Sequence, residues 1–134
     1  MKILHTSIAV KDIDESIRFY RDVFGLKLLR RRKRAKNKME KRPESEREIA
    51  FLGDERGTEI ELTKWKGEEG WTTGDELDHI VFAVPDMDRA MKVFEEQKVE
   101  IVRGAFSRRG ATNRVVFIKD PNGIWLEILE RKTS

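Results

Sequence analysis

The 134-residue sequence contains no cysteine, only two histidines and only three prolines. The lack of cysteine excludes disulfides, thiolate metal sites and cysteine nucleophiles, and it agrees with a reducing, cytoplasmic setting. No apolar run approaches the ~20 residues that span a bilayer, and the N-terminus enters a patterned strand without a small-residue cleavage site. We therefore expect a cytoplasmic protein with a single domain over residues 1–134, which is long enough to bury a hydrophobic core without stabilising cross-links.

Charged residues make up 40% of the sequence, and the two signs nearly cancel at a net charge of +3. Their distribution is uneven, because the segment Arg30–Arg47 holds ten of the 28 lysines and arginines. Three interpretations of this basic segment stay open: a solvated hairpin extension, a contact with an anionic substrate or partner, and a contact with nucleic acid. The segment lacks interleaved aromatic residues for base stacking, so nucleic acid is the least favoured of the three.

An internal repeat is the strongest indication of the architecture. The segment His5–Asp14 matches His79–Asp88 at an offset of 74, with His, Ala, Val and two Asp in the same places. The segment Phe51–Leu62 matches Phe117–Ile128 at an offset of 66, with Phe, Asp, Gly and Glu in common. The smaller second offset means that the first copy carries eight additional residues between its two blocks, and these fall in the basic stretch.

Each copy corresponds to one βαβββ module, the first over about residues 1–66 and the second over about residues 75–131, with the basic insertion at about 30–48. We expect an α+β fold in which two antiparallel half-sheets, each with one helix outside, form a curled mixed sheet around a metal cleft.

Local patterns support the same elements in both copies. In the first copy a strand precedes a helix that Asp14 caps and Gly25 ends. In the second copy a strand over His79–Val84 precedes a helix that is capped by Asp86 or Asp88. Glycine-containing turns before the last strand of each copy predict hairpins.

Both histidines of the sequence occupy the same position of the repeat, as His5 and His79, and two glutamates do so as Glu61 and Glu127. A lone histidine on a strand is usually structural, and a lone glutamate usually faces solvent, as we expect for Glu59. The recurrence of all four residues at equivalent positions of the repeat favours a shared site instead, because one residue from each of four strands can point into one cleft. Two imidazoles and two carboxylates suit a divalent ion such as Zn²⁺, Ni²⁺ or Co²⁺.

Besides the repeat, four motifs are distributed along the chain: the opening His-Thr-x-x-x-Val at His5, the helix motif Ser16–Leu29, Ile60–Thr63 and Asp120–Ile128. Together they resemble glyoxalase I (lactoylglutathione lyase), of the vicinal-oxygen-chelate, or glyoxalase/bleomycin resistance/dioxygenase, superfamily. The resemblance leaves out only the basic insertion and the loop Lys64–Leu77.

The resemblance implies a methylglyoxal-detoxifying carbon–sulfur lyase. Such an enzyme converts the hemithioacetal of methylglyoxal and glutathione, or another thiol, into an S-2-hydroxyacyl thioester by base-catalysed proton transfer through a metal-bound enediolate. By the same resemblance, Glu127 is the base and Glu61 the opposite carboxylate, with His5 and His79 as fixed ligands. The family also implies a homodimer whose sites are shared between chains.

Substrate contacts are less clearly indicated. Trp125 matches an aromatic residue that lines the family's pocket, although a core position fits it equally well, and Arg114 is a candidate cation. The usual thiol-recognition residues are replaced here by Ala9, by Lys64–Gly67 and by Asp75. Substitute cations are available from the basic segment and from Arg108, Arg109 and Arg114.

Two other functions remain open from the sequence. One is a different metal-dependent enzyme of the superfamily, an acyl-CoA epimerase or a dioxygenase. An epimerase is expected to carry Gln where Glu61 stands, and a dioxygenase to lack this fourth, acidic ligand. The other is a non-catalytic, ligand-sequestering module, which would have no need for the four metal ligands.

Overall fold

The computed structural model of the protein describes residues 4–36, 46–67, 80–107 and 113–131. The chain forms two compact units, Met1–Thr73 and Gly74–Ser134. The first contains β1 (His5–Ala9), α1 (Ile13–Phe24), β2 (Lys27–Arg34), β3 (Arg47–Gly53) and β4 (Glu59–Trp65). The second contains β5 (Ile80–Val84), α2 (Met87–Glu96), β6 (Glu100–Ser107), β7 (Arg114–Lys119) and β8 (Trp125–Glu130). The α+β fold of two βαβββ modules is therefore confirmed. Within the residues described, no helix is long and apolar enough to cross a membrane.

Each unit holds one four-stranded sheet, with the strand order β1-β4-β3-β2 in the first and β5-β8-β7-β6 in the second. Three strands of each sheet form an antiparallel meander, whereas β1 pairs with β4, and β5 with β8, in parallel. Each half-sheet is thus mixed, and the expectation that it is antiparallel is wrong. In each unit the helix connects the first strand to the opposite edge of the sheet. The antiparallel meander then leads back across the sheet, so its last strand lies beside the first strand and parallel to it. The single domain and the cleft between the modules stay predictions.

One face of the first sheet is covered by α1. The helix buries the apolar stripe that contains Ile13, Ile17 and Tyr20 and contacts β2, β3 and β4. Burial of such a side chain contributes ~1.5–3 kcal/mol. At the edge of this interface the Arg31 guanidinium of β2 lies 2.6 Å from the Asp14 carboxylate of the helix, and Arg31 holds the pKa of Asp14 below its usual value. The residues of β2 that alternate with Arg31 therefore lie on the opposite face, away from the helix.

The start of α1 corrects one expectation. Asp12, not Asp14, is the N-cap, because its carboxylate accepts a hydrogen bond of 3.0 Å from the backbone N–H of Glu15. The helix begins directly after Asp12, and an N-cap side chain bonds the N–H groups two or three residues on. Gly25 ends the helix with a φ of 70°, as predicted. Asp86 caps α2 and was one of the two residues proposed for that position.

The turns before β4 and β8 are the same structure built twice. In the first, Asp54 Oδ1 accepts hydrogen bonds from the backbone N–H groups two and four residues further on, each at 2.9 Å. In the second, Asp120 Oδ1 accepts the corresponding two bonds, each at 2.8 Å. Gly57 and Gly123 adopt φ values of 86° and 82°, which disfavour any residue with a side chain. The repeat thus extends to individual hydrogen bonds.

Candidate metal centre

The carboxylate of Glu61 lies on the face of the first sheet that points away from α1. Its Oε2 is 3.1 Å from His5 Nε2, and its Oε1 accepts a hydrogen bond of 2.9 Å from the Thr63 hydroxyl. The Ser7 hydroxyl donates a longer bond of 3.4 Å to the same Oε1. The backbone explains this cluster: Ser7 is the register partner of Glu61 in the parallel pair, and residues two apart on one strand share a face. The structure therefore brings together two of the four predicted ligands, both in the first unit.

The donors at this position fit a divalent ion. Neutral imidazole and carboxylate are ordinary ligands of divalent ions, with bonds of ~2.0–2.2 Å to Zn²⁺, so two neighbouring ligands of one ion lie ~2.8–3.6 Å apart, from octahedral to tetrahedral geometry. The 3.1 Å between His5 Nε2 and Glu61 Oε2 agrees with this spacing. The second oxygen of Glu61 is fixed by hydroxyls, which is how supporting groups orient a metal-binding carboxylate. His79 lies outside the described residues, and among the residues that are described no three His, Asp or Glu side chains converge. The complete four-ligand set stays a prediction.

An aromatic and cationic stack supports His5. The imidazole meets the Phe51 ring edge-on, with 5.1 Å between centroids, and the Arg30 guanidinium lies 4.3 Å from the centre of the same ring. Arg30 Nη2 is also 2.5 Å from the Glu59 carboxylate. Glu59 therefore shares the face of Glu61 and is ion-paired, so the expectation that it simply faces solvent is wrong. Residues two apart on a strand cannot point to opposite faces.

In the second unit Glu127 occupies the position equivalent to Glu61 but has different neighbours. Its register partners on the adjacent strands are Val81 and Phe117, and Glu127 is 7% exposed. The repeat replaces Ser7 by Val81 and Thr63 by Leu129, so the wall around Glu127 carries no hydroxyl at either place. Trp125 lies two residues before Glu127 on the same face, with its ring 5.8 Å from that of Phe117. A substrate contact by Trp125 is compatible with this position and stays a prediction.

The comparisons with known proteins agree with the observed fold. Residues 2–128 match the family model of the Glyoxalase/Bleomycin resistance protein/Dioxygenase superfamily. The chain belongs to this superfamily. It is 34% identical to lactoylglutathione lyase of Haemophilus influenzae over 100% of this chain and 96% of the relative, and similarity of this extent makes it a glyoxalase I-like enzyme of the lyase class.

Solved structures of the superfamily resemble the whole chain. Glyoxalase I from Zea mays superposes with a TM-score of 0.74 at 27% identity, over 99% of this chain and 46% of the maize chain. This glyoxalase-family chain thus spans about half the length of the maize protein. The trypanothione-dependent glyoxalase I of Leishmania major gives a TM-score of 0.71 at 28% identity, covering 97% of this chain and 86% of the other.

Arg114, predicted to contact substrate in this glyoxalase-family chain, has a different position. It lies on the helix-facing side of β7, where its guanidinium bonds both carboxylate oxygens of Glu130 at 3.1 and 3.3 Å and Asp88 of α2 at 2.9 Å. Glu130 also accepts a 2.8 Å bond from the backbone N–H of Met87. Arg114 first, and then Met87, lower the pKa of Glu130 to about 2. Arg114 therefore links the second sheet to α2 by ion pairs, on the face of the sheet opposite to Glu127.

The structure describes some, but not all, of the positions at which the usual thiol-recognition residues are replaced. Trp65 is 7% exposed and lies under the Arg47 guanidinium, 5.2 Å from its ring centre. Ala9 is half-buried in β1. Asp75 and the candidate cations Arg108 and Arg109 lie outside the described residues. Of the basic segment, the part that belongs to β2 is an exposed strand at the edge of the first sheet.

Sequence reasoning missed the groups that surround the predicted ligands. The hydroxyls of Ser7 and Thr63 could have been found by placing Glu61 in register with the first strand of its module. The contacts among His5, Phe51 and Arg30 extend across the four strands of the sheet, so no local sequence pattern predicts them. Phe51 did recur in the repeat as Phe117, which was the available signal.

Proposed function

We propose that this chain is a metal-dependent glyoxalase I that converts the hemithioacetal of methylglyoxal and a thiol into the S-2-hydroxyacyl thioester. The observation that carries the proposal is the His5–Glu61 contact of 3.1 Å at positions that the repeat duplicates as His79 and Glu127. The lactoylglutathione lyases at about a third identity over the full chain support the same chemistry. The proposed ligands of one Ni²⁺, Co²⁺ or Zn²⁺ ion are these four side chains.

The two carboxylates have different surroundings and so different proposed roles. Both oxygens of Glu61 have partners, the imidazole of His5 on one side and the hydroxyls of Thr63 and Ser7 on the other. Hydroxyl donors fix the orientation of the carboxylate that accepts their hydrogen bonds. Glu61 is therefore the stationary ligand. When bound, the divalent ion supplies a Lewis acid and a template for the two adjacent oxygens of the substrate.

Glu127 is the proposed base. It removes the proton from the carbon next to the carbonyl and returns it to the neighbouring carbon, so the reaction is an isomerisation without net gain or loss of atoms. At the two positions where Glu61 has the hydroxyls of Ser7 and Thr63, the second copy has the apolar side chains of Val81 and Leu129. The low exposure of Glu127, 7%, limits the exchange of the transferred proton with water.

An activity matrix tests the proposal directly. Protein freed of metal is reloaded separately with Ni²⁺, Co²⁺, Zn²⁺ and Fe²⁺ and supplied with methylglyoxal and a panel of thiols, while thioester formation is followed by absorbance. We expect thioester with at least one of the first three metals. Absence of turnover with every metal and thiol contradicts the proposal, and oxygen uptake with Fe²⁺ would instead favour a dioxygenase.

We further propose a homodimer in which His5 and Glu61 of one protomer complete a site with His79 and Glu127 of its partner. Mixing the variants Glu61→Gln and Glu127→Gln tests this arrangement, at a metal concentration too low to load the Glu61→Gln site, so that each variant alone is inactive. In a heterodimer with shared sites, one site carries both changes and the other is intact, so equal mixing with free subunit exchange restores about a quarter of the native activity. If each site lies within one chain, the mixture stays inactive.

A further inference from the structure

The outer strand of the first sheet presents a row of arginines on the face of Glu61. In the antiparallel register, Arg30 lies opposite Phe51, Arg32 opposite Ile49 and Arg34 opposite Arg47. Phe51 is in turn the register partner of Glu61 on β4. The Arg30 guanidinium over the Phe51 ring, at 4.3 Å, shows that these side chains share one side of the sheet. Arg30, Arg32 and Arg34 are named here the arginine row.

The members of the arginine row differ in how they are engaged. Arg30 is neutralised by Glu59 at 2.5 Å and is packed on Phe51. Arg32 and Arg34 are exposed, and neither forms an ion pair with any residue that the structure describes. Two arginines that pair with no described carboxylate thus lie one strand beyond Phe51, on the face that carries His5 and Glu61.

Protection of the sheet edge does not account for this charge. Charged side chains on an edge strand do prevent pairing with other chains. The second sheet has an equivalent edge strand, β6, with the sequence EIVRGAFS, which contains one arginine in eight residues. The strand β2 has the sequence KLLRRRKR, with six basic residues in eight. Because the edge strand of the second sheet has only one arginine, the positive charge of β2 is greater than the protection of a sheet edge requires.

We propose that Arg32 and Arg34 bind an anionic group, a carboxylate or a phosphate, on the thiol part of the substrate. This inference rests on the proposed function, since it assigns the specificity of that same site. Neighbouring strands lie ~4.8 Å apart, so β2 is about 10 Å from β4, a distance that ~3 extended residues span. Arg32 and Arg34 are also displaced by two and four residues along the strand from Arg30, so at ~3.4 Å per residue their backbones lie about 12 and 17 Å from that of Glu61. The thiol is therefore one whose negative group lies well away from its sulfur. Guanidinium groups bind carboxylate and phosphate in the same bidentate geometry.

Matched variants on one strand separate this role from a general charge effect. Arg32→Gln removes a cation from the face of Glu61, while Lys33→Gln removes one from the opposite face at the next residue. Full-length, metal-loaded enzyme is assayed with methylglyoxal adducts of glutathione, which carries carboxylates, of coenzyme A, which carries phosphates, and of neutral N-acetylcysteamine. We expect Arg32→Gln to lower kcat/KM about two- to fivefold for the anionic thiol that the enzyme uses, mostly through KM. Arg32→Gln combined with Arg34→Gln should lower it further.

The controls decide the interpretation. The neutral adduct should be unaffected by either arginine variant, and Lys33→Gln should leave all three thiols unchanged. Glutathione and coenzyme A as separate arms show which anion is recognised. Equal effects of Arg32→Gln and Lys33→Gln, or no effect of the double variant on any anionic thiol, would overturn the inference while thioester formation from the neutral adduct keeps the proposed function intact.

A binding measurement makes the test independent of turnover. Calorimetric affinity for S-methylglutathione and for coenzyme A is compared among native protein, the double variant and Lys33→Gln at two salt concentrations. The inference requires weaker, less salt-sensitive binding of one of the two ligands in the double variant alone. If the thiols bind all variants alike and a short DNA duplex binds Arg32→Gln and Lys33→Gln equally less well, the basic strand is a nucleic-acid contact and the inference is wrong.

Discussion

The two copies of the module share their backbone plan but differ around the equivalent glutamates. Glu61 is surrounded by hydroxyls and an imidazole, whereas Glu127 has Val81 and Leu129 where the first copy has Ser7 and Thr63. The hairpin turns before these strands repeat to the individual hydrogen bond. Duplication thus supplied two carboxylates in the same position with different neighbours, and the proposed division of roles assigns metal binding to the first and proton transfer to the second.

The largest expected difference between the copies is in catalysis. Glu127→Gln should lower kcat about 10²- to 10⁴-fold at saturating metal, because the proton-transfer group is lost while an amide oxygen remains. Glu61→Gln should act mainly on metal affinity, which is measured in parallel by competition with a chromogenic chelator. An equal loss of kcat in both variants at saturating metal contradicts the division of roles.

Two substitutions can replace the hydroxyls beside Glu61 by apolar side chains, as in the second copy. Thr63→Val together with Ser7→Val should weaken metal binding about 10- to 100-fold, since both groups orient the Glu61 carboxylate. Thr6→Val provides the control, because Thr6 is exposed on the opposite face of the same strand. Unchanged metal affinity in the double variant would show that these hydroxyls do not orient a ligand.

Much of this asymmetry could not be predicted from the sequence. The repeat predicted the modules, the turns and the equivalence of Glu61 with Glu127, because periodic residues and turn residues act locally. The hydroxyl contacts depend on the register between β1 and β4, which are separated by about fifty residues of chain. Arg114 was assigned to substrate because its charge is visible in the sequence, whereas its partner Glu130 is set by strand pairing. Asp12 and Asp14 are equally good caps, and only the first residue of the helix decides between them.

The helix caps should behave alike in the two copies. Asp12→Ala and Asp86→Ala should each lower the free energy of unfolding by about 1 kcal/mol, because each leaves a backbone N–H at a helix start without its partner. Chemical denaturation measures both. An unchanged free energy of unfolding in Asp12→Ala would contradict the assignment of Asp12 as the cap.

The smallest expected effect is a pH dependence of stability that comes from Glu130 in the second copy. Glu130 has a pKa lowered to about 2 from its usual 4.5, so its ionised form stabilises the folded state above pH ~4.5 and this contribution is lost as the pH falls toward 2. Glu130→Gln should therefore lower Tm by a few degrees at neutral pH, with a gap to native protein that closes below pH ~4.5. Glu96→Gln, a change at an exposed carboxylate on α2, is the control. A gap that is constant with pH contradicts the assignment.

Elemental analysis tests the central claim, that the duplicated histidines and glutamates bind one divalent ion. Protein is incubated with Ni²⁺, Co²⁺ and Zn²⁺ in turn, desalted, and compared with the His5→Gln and His79→Gln variants. The account predicts one tightly held ion per chain in the native protein for at least one metal, and its loss in both variants. Native protein that retains no metal, or a His79→Gln variant that retains the full complement, would contradict it.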